Sequence, residues 1–277
     1  MNDIILGGTN TGTEYNLFRN DDFEVSNIDN LTWSEYELST STNPFTSGDK
    51  IQNQRGLARD ISIELKPIKD KGNFSKILND LLKFVGDDVY LQWLNQECDG
   101  ITSDWVIYGV MDSIDVPRFS NDVRATLNIH CSDPYWRGPQ RTESSVNQRL
   151  KLKGTAPTTI KLTVNDVTIP KTPVVPLEAG LSSNAYLQVQ VGNASGWKFN
   201  TSGSNNLTGN LVVDTRQSIP VVTLNGTSNL GLVSAPLSPF IPRDTAFGVA
   251  WFHPDFLDNS SLYTSYDFSV TYRPRYY

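Results

Sequence analysis

Val123-Arg124-Ala125-Thr126-Leu127-Asn128-Ile129-His130-Cys131-Ser132-Asp133-Pro134-Tyr135-Trp136 runs from an apolar/polar alternation into a proline-aromatic corner. A side-chain period of two places Ala125, Leu127, Ile129 and Cys131 on one side of a strand and the polar residues on the other. Such a segment belongs to a sheet with one covered face. His130, Cys131 and Asp133 are metal-ligand types, but consecutive strand residues point to opposite faces, so one site cannot easily use them together and no metal is expected. Pro134 and its aromatic neighbours suit a structural corner.

Working back along the chain, Arg59-Asp60-Ile61-Ser62-Ile63-Glu64-Leu65 alternates in the same way, as does Leu31-Thr32-Trp33-Ser34-Glu35-Tyr36-Glu37-Leu38. Ser39-Thr40-Ser41-Thr42-Asn43-Pro44 between them reads as a polar segment with turn chemistry. Val89 to Leu94 and Trp105 to Met111 are dense in β-branched and aromatic residues, with Asp99-Gly100 as the turn between them. One helix interrupts the strands. Phe74, Ile77, Leu78, Leu81, Leu82 and Val85 recur at helical spacing, which predicts a helix over 74–85, capped by Asn73 and ended by Gly86. Its opposite face is polar, so the helix should lie on a sheet. Residues 1–138 therefore read as an α+β module in which one helix covers antiparallel sheets.

Past Trp136 the chain becomes polar, and residues 139–150 read as a connection. Residues 151–277 follow with short strands over 159–164, 185–191, 210–214, 220–226, 246–252 and 267–273. Gly, Asn, Ser and Pro separate them and no helical period appears, which predicts an antiparallel β-sandwich. The chain then ends on a second aromatic and basic signature, Tyr272-Arg273-Pro274-Arg275-Tyr276-Tyr277.

At 277 residues two modules of roughly 130 residues are expected, each large enough to bury a core without disulfide staples. Hydrophobic residues make up 38% and charged residues 19%, values of ordinary globular domains. No apolar run approaches the roughly 20 residues that span a bilayer, and nothing at the start of the chain resembles a secretory signal. A net charge of −7 argues against a general nucleic-acid binder. Cys98 and Cys131 fit no zinc spacing and read as packed thiols.

The order of these features resembles the distal tail (Dit) protein family of long, non-contractile-tailed bacteriophages. The segments that carry the resemblance are Asn53-Gln54-Arg55-Gly56 to Ile61-Ser62-Ile63, Ser132 to Trp136, and Lys153-Gly154-Thr155-Ala156-Pro157-Thr158. Leu211-Val212-Val213-Asp214 with Val221 to Gly226, and Tyr272-Arg273-Pro274-Arg275, complete it. The resemblance implies a mainly β chain whose second module is a galectin-like β-sandwich. It implies a virion protein, made and assembled in the host bacterial cytoplasm, that forms a hexameric ring at the distal end of the tail tube. Its partners would be the tube protein, a tip or tail-associated lysin protein and receptor-binding or baseplate proteins. DNA would pass through the centre without specific binding, and no membrane insertion is implied. Family members join neighbours through an extended hairpin or belt. Here either the loop from Ser39 to Gln54 or the segment from Asp112 to Asn121 has that place. A lumen lined by carboxylates would repel DNA during ejection.

Catalytic chemistry has little material. Only His130 and His253 occur, so no histidine triad or multi-histidine metal site is expected, and no cofactor-binding motif appears. The pairs Asp21-Asp22 and Asp87-Asp88 read as solvated turns. The competing expectation is an adhesion module that recognises host cell-wall glycans through the second sandwich, with Trp197, Trp251, Tyr263 and Tyr266 as stacking platforms. Against it, His253-Pro254-Asp255 lacks the Asn and Arg of the galectin sugar motif, and Trp251 alternates with Phe247 and Val249 as a core residue would.

Overall fold

The computed structural model describes residues 3–10, 12–32, 36–42, 49–68, 71–98, 100–117, 123–145, 149–169, 186–191, 194–199, 207–217, 219–233, 246–252 and 266–276, and the statements below concern these. The chain is mainly β and divides into two compact units, Met1–Pro139 with Tyr276–Tyr277, and Gln140–Arg275.

The first unit begins with β1 (Ile4–Gly8), β2 (Glu14–Asn16), β3 (Phe23–Asp29), β4 (Tyr36–Thr42), β5 (Asp49–Gly56) and β6 (Arg59–Pro67). Helix α1 (Lys71–Leu81) leads to β7 (Asp88–Cys98), β8 (Ile101–Asp115), β9 (Ala125–Cys131) and β10 (Trp136–Arg137). Seven of these strands form one sheet in the order β2-β1-β7-β8-β9-β6-β3, and β10 adds to β8. The alternation that predicts β6 and β9 is realised in full. Ile61, Ile63 and Leu65 are buried beside Ala125, Leu127 and Ile129, and the strands pair from Arg59↔Cys131 to Leu65↔Ala125. A tight turn at Gly100, with φ of 70°, returns β7 into β8, as Asp99-Gly100 leads one to expect.

The helix lies where its apolar face requires, with Phe74, Leu78 and Leu81 buried in the core. Its ends differ from expectation. It begins at Lys71, so Asn73 lies inside it, and it tightens at Leu82–Phe84 into a 3₁₀ turn that ends at Val85, whose backbone is already extended at ψ of 122° and bridges to Met111, one residue before the expected stop at Gly86. The tightening rotates Phe84 inward and leaves Leu82 and Val85 exposed at 51% and 39%. A second correction concerns Ser39–Thr42. These residues are not a turn but part of β4, which pairs with β5 from Tyr36↔Gly56 to Thr42↔Asp49 as a two-stranded sheet of its own. Leu31 and Thr32 are in a bend rather than in that strand, and Trp33–Glu35 lie outside the described residues.

The second unit comprises β11 (Arg141–Ser145), β12 (Leu150–Lys151), β13 (Ile160–Ile169), β14 (Tyr186–Val191), β15 (Ala194–Phe199), β16 (Leu207–Asp214) and β17 (Val221–Leu224). Then come β18 (Thr227–Ser228), β19 (Ala246–Phe252) and β20 (Phe268–Tyr272), after which β21 (Arg275–Tyr276) pairs with β10 in the first unit's sheet. Two antiparallel sheets, β11-β20-β13-β16-β17-β18 and β12-β19-β14-β15, make the sandwich, and their inward residues share one core that includes Leu162, Val164, Leu187, Val189, Val213 and Val270. Residues 139–150, read from sequence as a connection, include β11, which pairs with β20 from Arg141↔Tyr272 to Ser145↔Phe268. The chain passes between the units twice, at Pro139 and again at Arg275, so Tyr276 is a residue of the first unit's core.

Candidate functional site

Three places in the described residues carry concentrated side-chain chemistry: an aromatic end of the first unit's core, the polar face of its sheet, and the corner around Tyr272 in the second unit.

The aromatic end grows from β7 and β8, whose register sets Trp93 opposite Trp105. Their rings meet edge-on at 6.4 Å between centroids. Trp136, delivered by the corner after Pro134, lies 5.5 Å from Trp93, and Tyr276 stacks on Trp105 at 4.1 Å with 6° between the planes. Aromatic pairs at such separations contribute about 0.5–1.5 kcal/mol beyond their buried area. At the margin stands Arg59, only 2% exposed, on the inward-facing row of β6 with Ile61 and Ile63. Its Nη1 donates to the Leu31 carbonyl at 2.9 Å, and Trp136 Nε1 donates to the same oxygen at 3.0 Å. Burial pulls the Arg59 guanidinium below its usual pKa.

The polar partners of this end are incomplete. Arg59 Nε and Nη2, Trp93 Nε1, Ser103 Oγ and Trp105 Nε1 are buried donors with no acceptor among the described residues. Nearby, Asp3 keeps one carboxylate oxygen on Arg19 at 2.6 Å while its Oδ1 is buried and unbonded. Cys131, across from Arg59 in register, is held as a thiol because burial pushes its pKa up to about 12. That removes it as a nucleophile.

The polar face belongs to β6, β8 and β9. His130 Nδ1 and Asp60 Oδ1 are 2.6 Å apart, and both side chains are exposed. Ser62 donates to Asn128, which in turn donates to Ser113 and Asp115. Glu64 accepts from Ser26 and Arg124, and these bonds hold its carboxyl below the usual range. Asp60, Asp112, Asn128, Ile129 and His130 line a shallow groove of about 390 Å³. His130 lies outward and Cys131 inward, so the His130–Asp133 segment is not drawn into one site, and no cluster of three or more His, Cys, Asp or Glu side chains stands together among the described residues. Asp21 and Asp88 are exposed and Asp22 and Asp87 half-buried, in turns and at a strand start.

In the second unit the two remaining signatures meet. The Tyr272 hydroxyl donates to Glu143 Oε1 at 2.6 Å and accepts from the Lys153 N–H at 3.0 Å. The Arg273 carbonyl accepts from Thr158 Oγ1, and the Arg275 carbonyl from the N–H groups of Thr155 and Ala156. Gly154 allows this approach: its φ is 116°, and a Cβ there would stand 2.8 Å from the Arg275 oxygen. Lys153 to Thr158 is therefore a receiving loop for Arg273 and Arg275. The expected sugar platforms fare less well. Trp197 is 1% exposed inside the core, so its faces are closed to a sugar, and Tyr266 packs half-buried against that core. Tyr263 and His253–Asp255 lie outside the described residues, as does the side chain of Trp251.

Sequence reasoning placed Arg59 in a strand without noticing that it occupies an inward position. A cation in phase with Ile61, Ile63 and Leu65 was the available signal.

No protein-family model matches the chain, and no curated protein matches it in sequence. Among solved structures it is similar to the Dit protein of phage SPP1, described as a paradigm of the hub adsorption apparatus in phages that infect Gram-positive bacteria. That similarity covers 100% of both chains, with a TM-score of 0.58 and 14% identity. It is also similar to a chain of the phage P2 baseplate in its activated conformation with Ca, over 98% of each chain, with a TM-score of 0.42 and 7% identity. The fold of this chain is the Dit fold, with an α+β module followed by a galectin-like sandwich.

Proposed function

We propose that this chain is a structural hub of a long, non-contractile phage tail. The observation that carries the reading is the correspondence of fold with a Dit protein along the whole of both chains, both modules included. Six copies form a ring through their first units at the distal end of the tail tube. The tube protein docks on one face, and the tip or tail-associated lysin protein on the other. Receptor-binding or baseplate proteins attach around the ring, and DNA leaves through its centre. The protein is a virion component assembled in the host cytoplasm, and its role is architectural rather than catalytic.

A cyclic ring needs a heterologous interface, in which one surface of each copy meets a different surface of the next. The β4–β5 hairpin supports the reading, because it forms a sheet by itself and so offers an arm. Asp112 to Asp115, the start of the other candidate segment, instead lies within β8 of the main sheet. Asp60, Asp112 and Asp115 place negative charge on or beside one sheet face, where Glu64 is offset by Arg124 and Lys66, and this suits a wall that DNA must pass without adhering. Among the described residues no helix is long and apolar enough to cross a membrane.

Light scattering of the purified protein, followed by negative-stain imaging, tests the proposal. Six-fold rings with a central hole are expected. A chain that stays monomeric at high concentration, and binds cell-wall glycan through residues 151–277, overturns it in favour of the adhesion module.

A further inference from the structure

Asn225-Gly226 is the only Asn-Gly pair in the sequence, and it forms the two-residue turn between β17 and β18, with Leu224 opposite Thr227. The φ values of 52° and 79° are those of a type I′ hairpin, and both residues are exposed. Glycine leaves the backbone nitrogen that follows the asparagine without a side chain to shield it. That nitrogen can attack the amide carbon of the Asn225 side chain. A C–N bond forms, the side-chain nitrogen leaves as ammonia with the Gly226 proton, and a five-membered succinimide remains. Water opens the ring at either carbonyl to give aspartate or isoaspartate.

The fold holds the reactive amide on a neighbouring strand. The Asn225 backbone N–H donates to the Asn210 carbonyl at 2.9 Å, and the side chain extends the ladder from there. Its Oδ1 accepts from the Asn210 N–H at 2.9 Å and its Nδ2 donates to the Thr208 carbonyl at 3.2 Å, so one amide serves both kinds of backbone group on β16. Gly209 makes the room: its φ is 149°, and a Cβ there would collide with Asn225 Oδ1. The clip is tied to a third strand as well, because Asn210 Oδ1 accepts from the Asp166 N–H at 3.2 Å, at the bulge of β13. A carboxylate in place of the Asn225 amide has no donor for the Thr208 carbonyl, and it adds a negative charge beside that oxygen. The clip cannot re-form after conversion.

We propose that Asn225 is a site of spontaneous deamidation that the fold keeps closed by docking its side chain on β16. It converts only when the β17–β18 turn opens, and each conversion marks that opening permanently. The reaction needs no partner but water.

The test incubates the full chain at mildly alkaline pH, folded and in guanidinium, and follows aspartate and isoaspartate at every asparagine by peptide mapping and mass spectrometry. In the denatured chain Asn225 should convert first. In the folded chain it should convert at least about tenfold more slowly, because two hydrogen bonds must break before the ring can form. Hydrogen exchange of the Asn210 N–H reads the same opening, so its protection should match the slowing within about threefold. Gly209→Ala drives the amide off β16 and should bring the folded rate toward the denatured one, with circular dichroism reporting whether the variant is folded. Another asparagine leading in the denatured chain overturns the site. A folded wild-type chain that converts as fast as the denatured one overturns the protection. A slowing far larger than the Asn210 protection overturns the docking as its cause, whether or not Gly209→Ala folds, and so does a folded Gly209→Ala chain that converts at the wild-type rate.

Discussion

The corner around Tyr272 and the aromatic end around Trp105 are both built from buried aromatics that end a module, yet they treat their polar atoms in opposite ways. At Tyr272 the hydroxyl both donates and accepts, and the carbonyls of Arg273 and Arg275 are each taken up by the loop from Lys153 to Thr158. At Trp105 the packing is as close, but the indole N–H groups of Trp93 and Trp105 and most of the Arg59 guanidinium bond to nothing described. Even there the contrast is one of degree, since Arg141 Nε in the second unit is also unbonded. A satisfied corner is finished by its own chain. An unsatisfied one keeps buried donors without partners among the described residues.

The largest effect is expected where packing alone carries the aromatic end. Tyr276→Ala removes a buried ring stacked on Trp105 and should destabilise the first unit by about 3–5 kcal/mol, read as a lower urea midpoint. An unchanged midpoint breaks the comparison, because the aromatic end would then not need the ring that the last strand supplies. Next comes Tyr272→Phe. It keeps the ring but strands the Glu143 carboxylate and the Lys153 N–H, at a cost of about 1–3 kcal/mol in the same titration.

A smaller effect is set by pH. Burial, then the bond to Glu143, raises the Tyr272 pKa, and the bond to Glu14, then burial, pushes that of Tyr90 up to about 12. The neutral phenols are the forms the fold favours. Their contribution is therefore complete below the unfolded value of about 10 and lost as pH rises through the folded values. Stability measured between about pH 9 and 12 should fall, and Tyr272→Phe should fall less steeply. The smallest effect is that of Trp93→Phe with Trp105→Phe, a shift of about 4 °C or less in Tm, because neither indole N–H has a hydrogen-bond partner among the described residues. A drop as large as that of Tyr272→Phe would erase the distinction between the two corners.

Much of this architecture was legible from residue order. Arg59 to Leu65 and Ala125 to Cys131 alternate because one face of their sheet is covered, and period two records that directly. Other elements were not. Ser39-Thr40-Ser41-Thr42 has the polarity of a turn and the β-branched threonines of a strand, and pairing with β5 decided the matter. β15 was missed because Ala194-Ser195-Gly196 gives no alternation, although Trp197 and Phe199 are both buried. Trp197 was weighed as a sugar platform because an aromatic residue in a sequence carries no sign of which side it faces. The two signatures were recognisable as corners, but what they bond to depends on residues more than a hundred positions away, such as Leu31 for Trp136 and Lys153 for Tyr272.

Tyr276 is a core residue of the first unit but is synthesised about 140 residues after Pro139. At translation rates of about 5–20 residues per second, that delay is on the order of ten seconds. During it, the nascent first unit lacks its last strand, and the face of Trp105 that Tyr276 will cover stays open on the ribosome. The second unit's sequence must leave the exit tunnel before the first can close. Completion of the N-terminal half thus becomes a checkpoint on full-length translation, and a chain cut short anywhere in the second unit would carry an unfinished first one.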